Sequence, residues 1–211
     1  VGPGALRHLQ DRSKEVPLLF GMVLNPDKLL ANSVNPPCGV SLNLSITAQI
    51  AAIASHLPDM TRLGVLFDPV NNQPWFERAT VIASSLGVEL VPLRVTRQGE
   101  RIKILDDLAA PDAILFIPDK TIIAKPVIRH IIKQAVFQQT PVVGYNQFFY
   151  DSGAALSFVI DYAENGQQVA RQVETILAGD GCPGVVAPAF TTRVNEEVLR
   201  ILRQDGQGGG L

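Results

Sequence analysis

The sequence predicts an α/β protein of two Rossmann-like lobes with parallel sheets, joined by crossover segments. Apolar runs of strand length alternate with helical stretches along the chain, which is typical of a parallel sheet covered by helices. Runs such as "LGVLF" and "AILFI" are continuous rather than alternating, which favours strands buried on both faces. Since 46% of the 211 residues are apolar, the chain is able to bury a sizeable core.

The elements follow from hydrophobic periodicity and from turn residues. The helices at 74–86 and 163–178 have apolar residues three and four positions apart. The stretch 184–203 is predicted to be an extended segment followed by a short helix. The predicted strands are 16–23, 38–43, 62–67, 88–95, 113–118, 141–145 and 154–159, and the predicted helices are 45–57, 74–86, 100–110, 124–139 and 163–178.

The alternation divides into two series. Residues 62–146 form a complete series of strands and helices, whereas residues 1–57 form a shorter one. The opening "VGPGALRHLQ" resembles the end of a strand, a glycine turn and a helix start, so the first lobe is expected to be truncated at its amino end. The predicted lobes are 1–60 with 147–203 and 61–146, followed by a flexible tail at 204–211.

Composition argues against several classes of function. The net charge of −2 and the scattered Lys and Arg residues give no electrostatic footprint for nucleic-acid binding. No apolar run approaches the roughly 20 residues that span a bilayer. Neither GxGxxG nor GxxxxGK[ST] occurs, so a nucleotide phosphate is disfavoured and no cofactor is expected.

The cysteines and histidines do not form a recognisable metal-binding pattern. Cys38 and Cys182 are compatible with one disulfide, two free thiols or two buried thiols. His8, His56 and His130 stand alone, which favours surface or core roles over zinc binding or catalysis. The Ser-His-Asp order of hydrolases is also absent, so the chain is not expected to be an enzyme.

Short polar residues follow the predicted strands at their carboxyl ends. In parallel sheets these ends meet at one edge, where ligands bind. Recurrence in both lobes favours a ligand cleft, although Asp and Asn also cap helices and make turns. The residues in question are Asn25, Ser41 and Asn43 in the first lobe and Asp68, Asp119 and Asn146 in the second.

The turn after the strand at 62–67 reads "DPVNN". A helix is expected to open near Pro74, capped by Asn71, Asn72 or Gln73, with free N–H groups that suit a carboxylate. Trp75 and the next residue, Phe76, either contact a ligand or pack the first helical turn. The same two interpretations apply to the aromatic residues of the predicted crossover, which are Tyr145, Phe148, Phe149 and Tyr150.

Five segments in order resemble the substrate-binding proteins of ABC transporters, of the tryptophan/tyrosine-type group. They are "VPLLFGMVLNP", "NPPCGVSL", "RLGVLFDPVNN", "PDAILFIPD" and "TPVVGYNQFFYDSGAALSFVIDYAENGQQVA", and the resemblance covers residues 1 to about 200. It implies the type I periplasmic-binding-protein fold. Cys38 stands at a position where the family usually has threonine, and Ser41 is the nearest hydroxyl.

The resemblance implies a periplasmic or extracytoplasmic receptor, lipid-anchored in its precursor, that delivers a small amino-acid-like ligand to a membrane permease. The lobes would close on the ligand about hinges near 58–61 and 146–152. Asp119 is expected to meet the ligand's amino group, and Asn71 and Asn72 its carboxylate. The full set of expected ligand-binding residues is Asn25, Ser41, Asp68, Asn71, Asn72, Trp75, Asp119, Tyr145 and Asn146.

Two further expectations complete the interpretation. A ligand-sensing or receiver-like signalling domain is the alternative function, because Asp68 at a strand end resembles a phosphoacceptor. Receivers also need an acidic pair and a lysine after a later strand, and the acidic pair is missing. An exposed sheet edge of the truncated first lobe would allow a dimer.

Overall fold

The computed structural model describes residues 3–10, 18–30, 38–98, 101–104 and 111–205. Residues 16 and 17 of the first predicted strand, residues 100 and 105–110 of the predicted helix 100–110 and the end of the predicted tail, 206–211, lie outside these ranges. The chain separates into two compact units, 1–45 with 160–191 and 46–159 with 192–211.

The smaller unit contains a three-stranded sheet of order β1-β2-β9. The strands β1 and β2 are parallel, and β2 is parallel to β9. Leu6, Phe20, Val23 and Leu30 form its apolar cluster. The elements of this unit are α1 (Pro3–Gln10), β1 (Leu19–Val23), α2 (Pro26–Leu29), β2 (Cys38–Ser41), α7 (Tyr162–Leu177) and β9 (Val185–Val186).

A disulfide joins Cys38 to Cys182 within the smaller unit. It connects the first residue of β2 to the segment that precedes β9, and the two Cα atoms are 5.8 Å apart, a typical disulfide spacing. Of the three alternatives open from the sequence, the structure therefore shows the disulfide.

The larger unit is built on a seven-stranded sheet of order β10-β8-β7-β6-β3-β4-β5. Neighbouring strands from β4 to β8 are parallel, whereas β5 is antiparallel to β4. Its elements are α3 (Ile46–His56), β3 (Arg62–Phe67), α4 (Pro69–Ser85), β4 (Glu89–Gln98), β5 (Arg101–Ile104), β6 (Ala113–Phe116), α5 (Lys125–Phe137), β7 (Val142–Gly144), α6 (Gln147–Asp151), β8 (Leu156–Ile160), β10 (Phe190–Val194) and α8 (Glu196–Asp205).

The central strands are buried on both faces, as their apolar runs predict. Every residue of β3 after Arg62 is buried, and so is every residue of β6. On one face α5 contributes Ile128, Ile132 and Ala135 to the core. The strands, the parallel sheets and the α/β class are therefore confirmed.

Two predicted elements differ from the structure. Residues 101–104 form a strand rather than part of a helix, because Val95, Thr96, Arg97 and Gln98 pair with them in an antiparallel ladder. The helix predicted to open near Pro74 begins at Pro69, five residues earlier, and contains Pro74 in its interior.

The division into units also differs from the predicted lobes. Residues 46–60 and 147–159 belong to the larger unit, because β8 continues its sheet through the pairs Val143↔Leu156 and Gly144↔Ser157. The predicted hinges near 58–61 and 146–152 consequently lie inside that unit. The segment 147–151 is the helix α6, whose Phe149 is a core residue.

Phe149 reaches the core because β7 ends in a glycine. A Cβ atom at Gly144 would lie 2.1 Å from the Cβ of Phe149, so no other residue fits under this ring. The ring also contacts Phe116 and Tyr145, at centroid distances of 5.1 and 4.7 Å. Phe149 is therefore a packing residue, which resolves the two interpretations of this aromatic side chain.

Candidate functional site

The sheet of the larger unit has a topological switch point between β3 and β6. From β3 the chain passes through α4 to β4 on one side, and β6 lies on the other side. Ligands of open α/β sheets bind beyond the carboxyl ends of the strands at such a point. Asp68 directly follows β3 and Asp119 lies three residues after β6, so both stand at this position.

Asp119 is the centre of a buried hydrogen-bond network. Its side chain is 4% exposed. Oδ1 accepts from the backbone N–H of Thr121 at 2.8 Å and from Nδ2 of Asn71 at 3.2 Å. Oδ2 accepts from the backbone N–H of Asp68 at 2.9 Å and from Nδ2 of Asn72 at 2.7 Å. A carboxylate has about four lone-pair sites, so this one is fully occupied.

Both oxygens of Asp119 therefore accept hydrogen bonds from the protein itself, and contact with the ligand's amino group stays a prediction from the sequence. The charge and the hydrogen bonds of Asp119 act on the neighbouring residues. The carboxylate holds the start of α4 against the loop after β6, through donors from both segments. We regard Asp119 as a positioning residue.

Each carboxylate oxygen of Asp68 accepts one hydrogen bond within the same network. Asp68 is 7% exposed and caps α4, with Oδ1 accepting from the backbone N–H of Val70 at 2.9 Å. Oδ2 accepts from the hydroxyl of Thr121 at 2.7 Å. The network thus joins Asp68 to Asp119 through Thr121, a residue that the sequence analysis missed. Its signal was the spacing "DKT", because a donor two residues after Asp forms an Asx turn.

The first turn of α4 has no N–H group left for a carboxylate. Pro69 lacks an N–H group, and Val70 donates to Asp68. The backbone N–H groups of Asn71 and Asn72 donate to the carbonyl of Asp68, both at 2.9 Å. The free donors expected from the sequence are therefore absent at this helix terminus, because Asp68 and Pro69 start the helix and satisfy it.

Asn72 retains one unoccupied polar atom. Its Nδ2 donates to the carbonyl of Pro118 at 3.2 Å and to Asp119 at 2.7 Å, which uses both hydrogens. Among the described residues no donor reaches its Oδ1 atom. The side chain is half-buried, so Asn72 presents a fixed acceptor at the carboxyl edge of the sheet.

Tyr145 adds a phenol to the same edge. Burial raises the pKa of Tyr145 above its usual value of 10.0, and the negative charge of Asp119 raises it further. The phenol is therefore neutral near pH 7 and is able both to donate and to accept a hydrogen bond.

The remaining expected residues of the larger unit lie near this edge without joining the network. Trp75 is half-buried in the second turn of α4. Its neighbour Phe76 stacks on Phe67 at 4.7 Å and is a core residue. Asn146 is exposed after β7 and precedes α6, with no hydrogen bond from its side chain to that helix.

In the smaller unit, Asn25 and Ser41 lie at the carboxyl ends of β1 and β2 and are linked through Asn43. Oδ1 of Asn43 accepts from the backbone N–H of Asn25 at 3.0 Å, and its Nδ2 donates to Oδ1 of Asn25 at 3.1 Å. The backbone N–H of Asn43 donates to the hydroxyl of Ser41 at 3.2 Å. Asn25 has a left-handed backbone with φ of 51°, which asparagine tolerates.

Two features are absent from the described ranges of the chain. No group of three or more His, Cys, Asp and Glu side chains in those ranges is arranged to hold a metal ion. No helix within the same ranges is both long and apolar enough to cross a membrane.

Several solved structures share the fold of this chain. A ligand-free, open substrate binding protein with adhesive properties from Clostridium difficile matches with a TM-score of 0.71 and 17% identity, over 96% of this chain and 72% of that one. The ABC domain from Streptococcus pneumoniae in complex with L-Trp matches with a TM-score of 0.62 and 16% identity, over 96% and 72%.

A conserved domain protein from Vibrio cholerae has a TM-score of 0.61 and 22% identity, over 96% of this chain and 71% of that one. Identities this low establish the fold alone. None of the curated proteins matches the chain.

The family model described as "ABC transporter substrate binding protein" matches residues 6–200. This range covers most of both units and all of the candidate residues discussed above. The chain belongs to the ABC transporter substrate binding protein family.

Proposed function

We propose that this protein is an extracytoplasmic receptor of an ABC importer, and that it binds a small amino-acid-like ligand and delivers it to a membrane permease. The observation that carries the proposal is the polar network at the switch point of the larger sheet. The family membership supports the receptor role. The Cys38–Cys182 disulfide supports an oxidising location, since disulfides persist outside the cytoplasm.

The polar groups that follow the carboxyl ends of β3 and β7 suit an ammonium group. Asn72 presents an acceptor, and Tyr145 a neutral phenol within the field of Asp119. An ammonium donates to acceptors such as these and is attracted by a nearby negative charge. Asp119 favours the ligand's amino group through its field and through the position of Asn72.

The apolar part of the ligand is assigned to the aromatic side chains of the edge. Trp75 and Tyr145 are both half-buried and offer flat apolar surface with a polar handle. Asn146 is exposed next to Tyr145 and offers an amide to the carboxylate. Asn25 and Ser41 of the smaller unit stay in the proposed set of ligand-binding residues, together with Asp68 and Asn71 in supporting positions. An amino acid with an aromatic or apolar side chain fits this combination, and an L-Trp complex exists among the structures of the same fold.

The receiver-like alternative is not supported by the position of Asp68. This side chain is 7% exposed, and each of its oxygens accepts a hydrogen bond within the network. A phosphoacceptor needs an accessible carboxylate oxygen. We therefore assign Asp68 to the support of α4.

A thermal-shift panel tests the proposed function. The panel contains L-tryptophan, L-tyrosine, L-phenylalanine and L-leucine, with two sugars as reference compounds. A ligand present at 100 times its dissociation constant adds about 2.7 kcal/mol of stability. The proposal predicts that at least one amino acid raises Tm and that the sugars do not. A shift produced by sugars alone would contradict it.

Analogues of an active amino acid then test the role of the ammonium group. For L-tryptophan, indole-3-propionate lacks the amino group and tryptamine lacks the carboxylate. We expect the loss of the amino group to remove most of the affinity, because Asn72 and Tyr145 would then have no cationic partner. Equal affinities for L-tryptophan and indole-3-propionate would rule out this assignment.

A further inference from the structure

The segment 120–150 differs in charge from the rest of the chain. It holds four of the 18 Lys and Arg residues, which are Lys120, Lys125, Arg129 and Lys133, and none of the 20 Asp and Glu residues. The remaining chain therefore has 14 cations against 20 anions. This local excess of positive charge does not follow from the overall composition, which is slightly acidic.

Most of this charge lies on one exposed face of α5. The helix buries Ile128, Ile132 and Ala135 against the sheet. Lys125, Arg129, Lys133 and Phe137 follow one another at intervals of four residues, about 6 Å along the axis, and all four are exposed. With His130, which is also exposed, these residues form what we call the basic face of α5.

The basic face is not neutralised by the part of the protein that the structure describes. No described carboxylate forms an ion pair with Lys125, Arg129 or Lys133. Lys125 and Arg129 instead lie over the ring of Phe148, at 5.4 and 5.3 Å from its centroid. The helices α7 and α8, by contrast, mix acidic and basic residues along their lengths.

Apolar side chains are exposed at both ends of the same helix. Phe137, its last residue, is 85% exposed, and Ile123, two residues before its start, is 62% exposed. Lys and Arg next to exposed aromatic and aliphatic side chains are typical of helices that lie at the surface of an anionic membrane.

We propose that the basic face of α5 docks on an anionic phospholipid surface. A lipid surface presents diffuse negative charge, so a row of long cationic side chains with no described carboxylate partner binds it without matched carboxylates. A protein partner is the weaker choice, because two of the three cations are lysines, which are depleted in protein–protein interfaces. The contact would orient the receptor on a membrane through the larger unit.

Each Lys or Arg near an anionic surface contributes about 1 kcal/mol, which is about a fivefold change in affinity. Binding is measured by co-sedimentation of the full chain with vesicles of phosphatidylglycerol and phosphatidylcholine, and with vesicles of phosphatidylcholine alone. We expect binding to the anionic vesicles at low salt and its loss at high salt, because salt screens surface charges.

Matched variants locate the contact. The double variant Arg129→Gln/Lys133→Gln is expected to bind the anionic vesicles about 25-fold more weakly, as two fivefold losses. The control Arg78→Gln/Arg203→Gln removes two exposed arginines from other helices and changes the net charge equally, so it is expected to bind like the wild type. Phe137→Ser is expected to weaken binding at low salt as well.

Three results would overturn the proposal. A wild-type protein that leaves anionic vesicles unbound at low salt excludes the lipid surface. Equal binding to both kinds of vesicle removes the role of charge. Equal losses in the two double variants would show an effect of net charge rather than of the basic face. All substituted side chains are exposed, so the variants are expected to fold.

Discussion

Two aspartates flank β6 in the sequence and link it by hydrogen bonds to residues at the two ends of β3. Asp112 lies at the amino end of the strands and Asp119 at their carboxyl end. Asp112 precedes β6, and its Oδ2 atom accepts from the backbone N–H groups of Thr61 and Arg62, both at 2.8 Å, and from the hydroxyl of Thr61 at 3.0 Å. Asp119 follows β6 and accepts from Asp68 directly after β3. The same two strands are thus joined at both ends through an aspartate. We call the hydrogen bonds of Asp112 the amino-edge clamp and those of Asp119 the carboxyl-edge clamp.

The two clamps differ in burial and in partners. Asp112 is exposed, and water is able to replace its hydrogen bonds. Asp119 is buried, and two of its four donors are side-chain amides from α4. The amino-edge clamp therefore only joins strands, whereas the carboxyl-edge clamp also fixes the helix and the side chains that we assign to the ligand.

The largest expected effect is the difference between the two aspartates. Asp119→Ala leaves four donors without their acceptor in a buried place and should lower the free energy of unfolding by about 3–5 kcal/mol. Asp112→Ala exposes its donors to water and should cost about 1 kcal/mol. Urea unfolding of both variants gives the comparison. Similar losses would show that burial does not distinguish the clamps.

Asn72 is expected to have a smaller effect on stability. Asn72→Ala removes one hydrogen bond to the Asp119 carboxylate and one to the carbonyl of Pro118. A loss of about 1.5–3 kcal/mol is expected, the range for a hydrogen bond to a charged group. Gln73→Ala is the control, since among the described residues the Gln73 side chain bonds only to Glu77, in an exposed hydrogen bond, and its loss should change stability by about 0.5 kcal/mol or less. Equal effects of the two substitutions would contradict the network.

At acid pH, the free energy of unfolding should depend on the ionisation of Asp112 in the amino-edge clamp. Desolvation opposes ionisation of Asp112, but the hydrogen bonds from Thr61 and Arg62 outweigh it and lower the pKa of Asp112 below 3.8. This stabilisation is present above the unfolded-state pKa and is lost as pH falls through the folded-state pKa. The free energy of unfolding of Asp112→Asn, measured in urea, lies below that of the wild type by a deficit that should therefore become smaller below about pH 4. A deficit that is constant with pH would contradict the shift.

The smallest expected effect is on stability at alkaline pH, and it comes from Tyr145 at the carboxyl edge. Because burial and Asp119 raise the pKa of Tyr145 above 10.0, the unfolded chain loses this proton first as pH rises. The stabilisation is complete below the unfolded-state pKa and is lost as pH rises through the folded-state value. Wild type should lose stability more steeply than Tyr145→Phe above about pH 10. Parallel pH dependences of the two proteins would exclude this contribution.

The sequence predicts the central strands well because their signal is local. The strand at 62–67 coincides with β3, since a continuous apolar run ends at Asp68 and Pro69. The prediction of a helix at 101–104 is wrong because these residues pair with β4. A pairing between two segments cannot be read from the hydrophobic periodicity of "RIKI" alone. The start of α4 was misplaced because Pro74 looked like a first-turn proline, whereas Asp68 and Pro69 already provide the cap.

The positions of the polar residues at the ends of the strands were predictable from the sequence, but their hydrogen-bond partners were not. Polar residues after β3, β6 and β7 do share one edge of the sheet, since parallel strands align their carboxyl ends. The sequence could not show that Asp119 is fully occupied, because its donors come from two segments about fifty positions apart. For the same reason Thr121 was missed, although it joins the two carboxylates.

Hydrogen exchange with and without ligand tests the central claim most directly, because it compares the two edges of one sheet. The amino acid with the largest thermal shift in the panel serves as the ligand. We expect slower exchange at the carboxyl edge, in 70–75 and 145–149, and unchanged exchange at the amino edge, around Thr61 and Arg62. Protection at the amino edge without protection at the carboxyl edge would contradict the account.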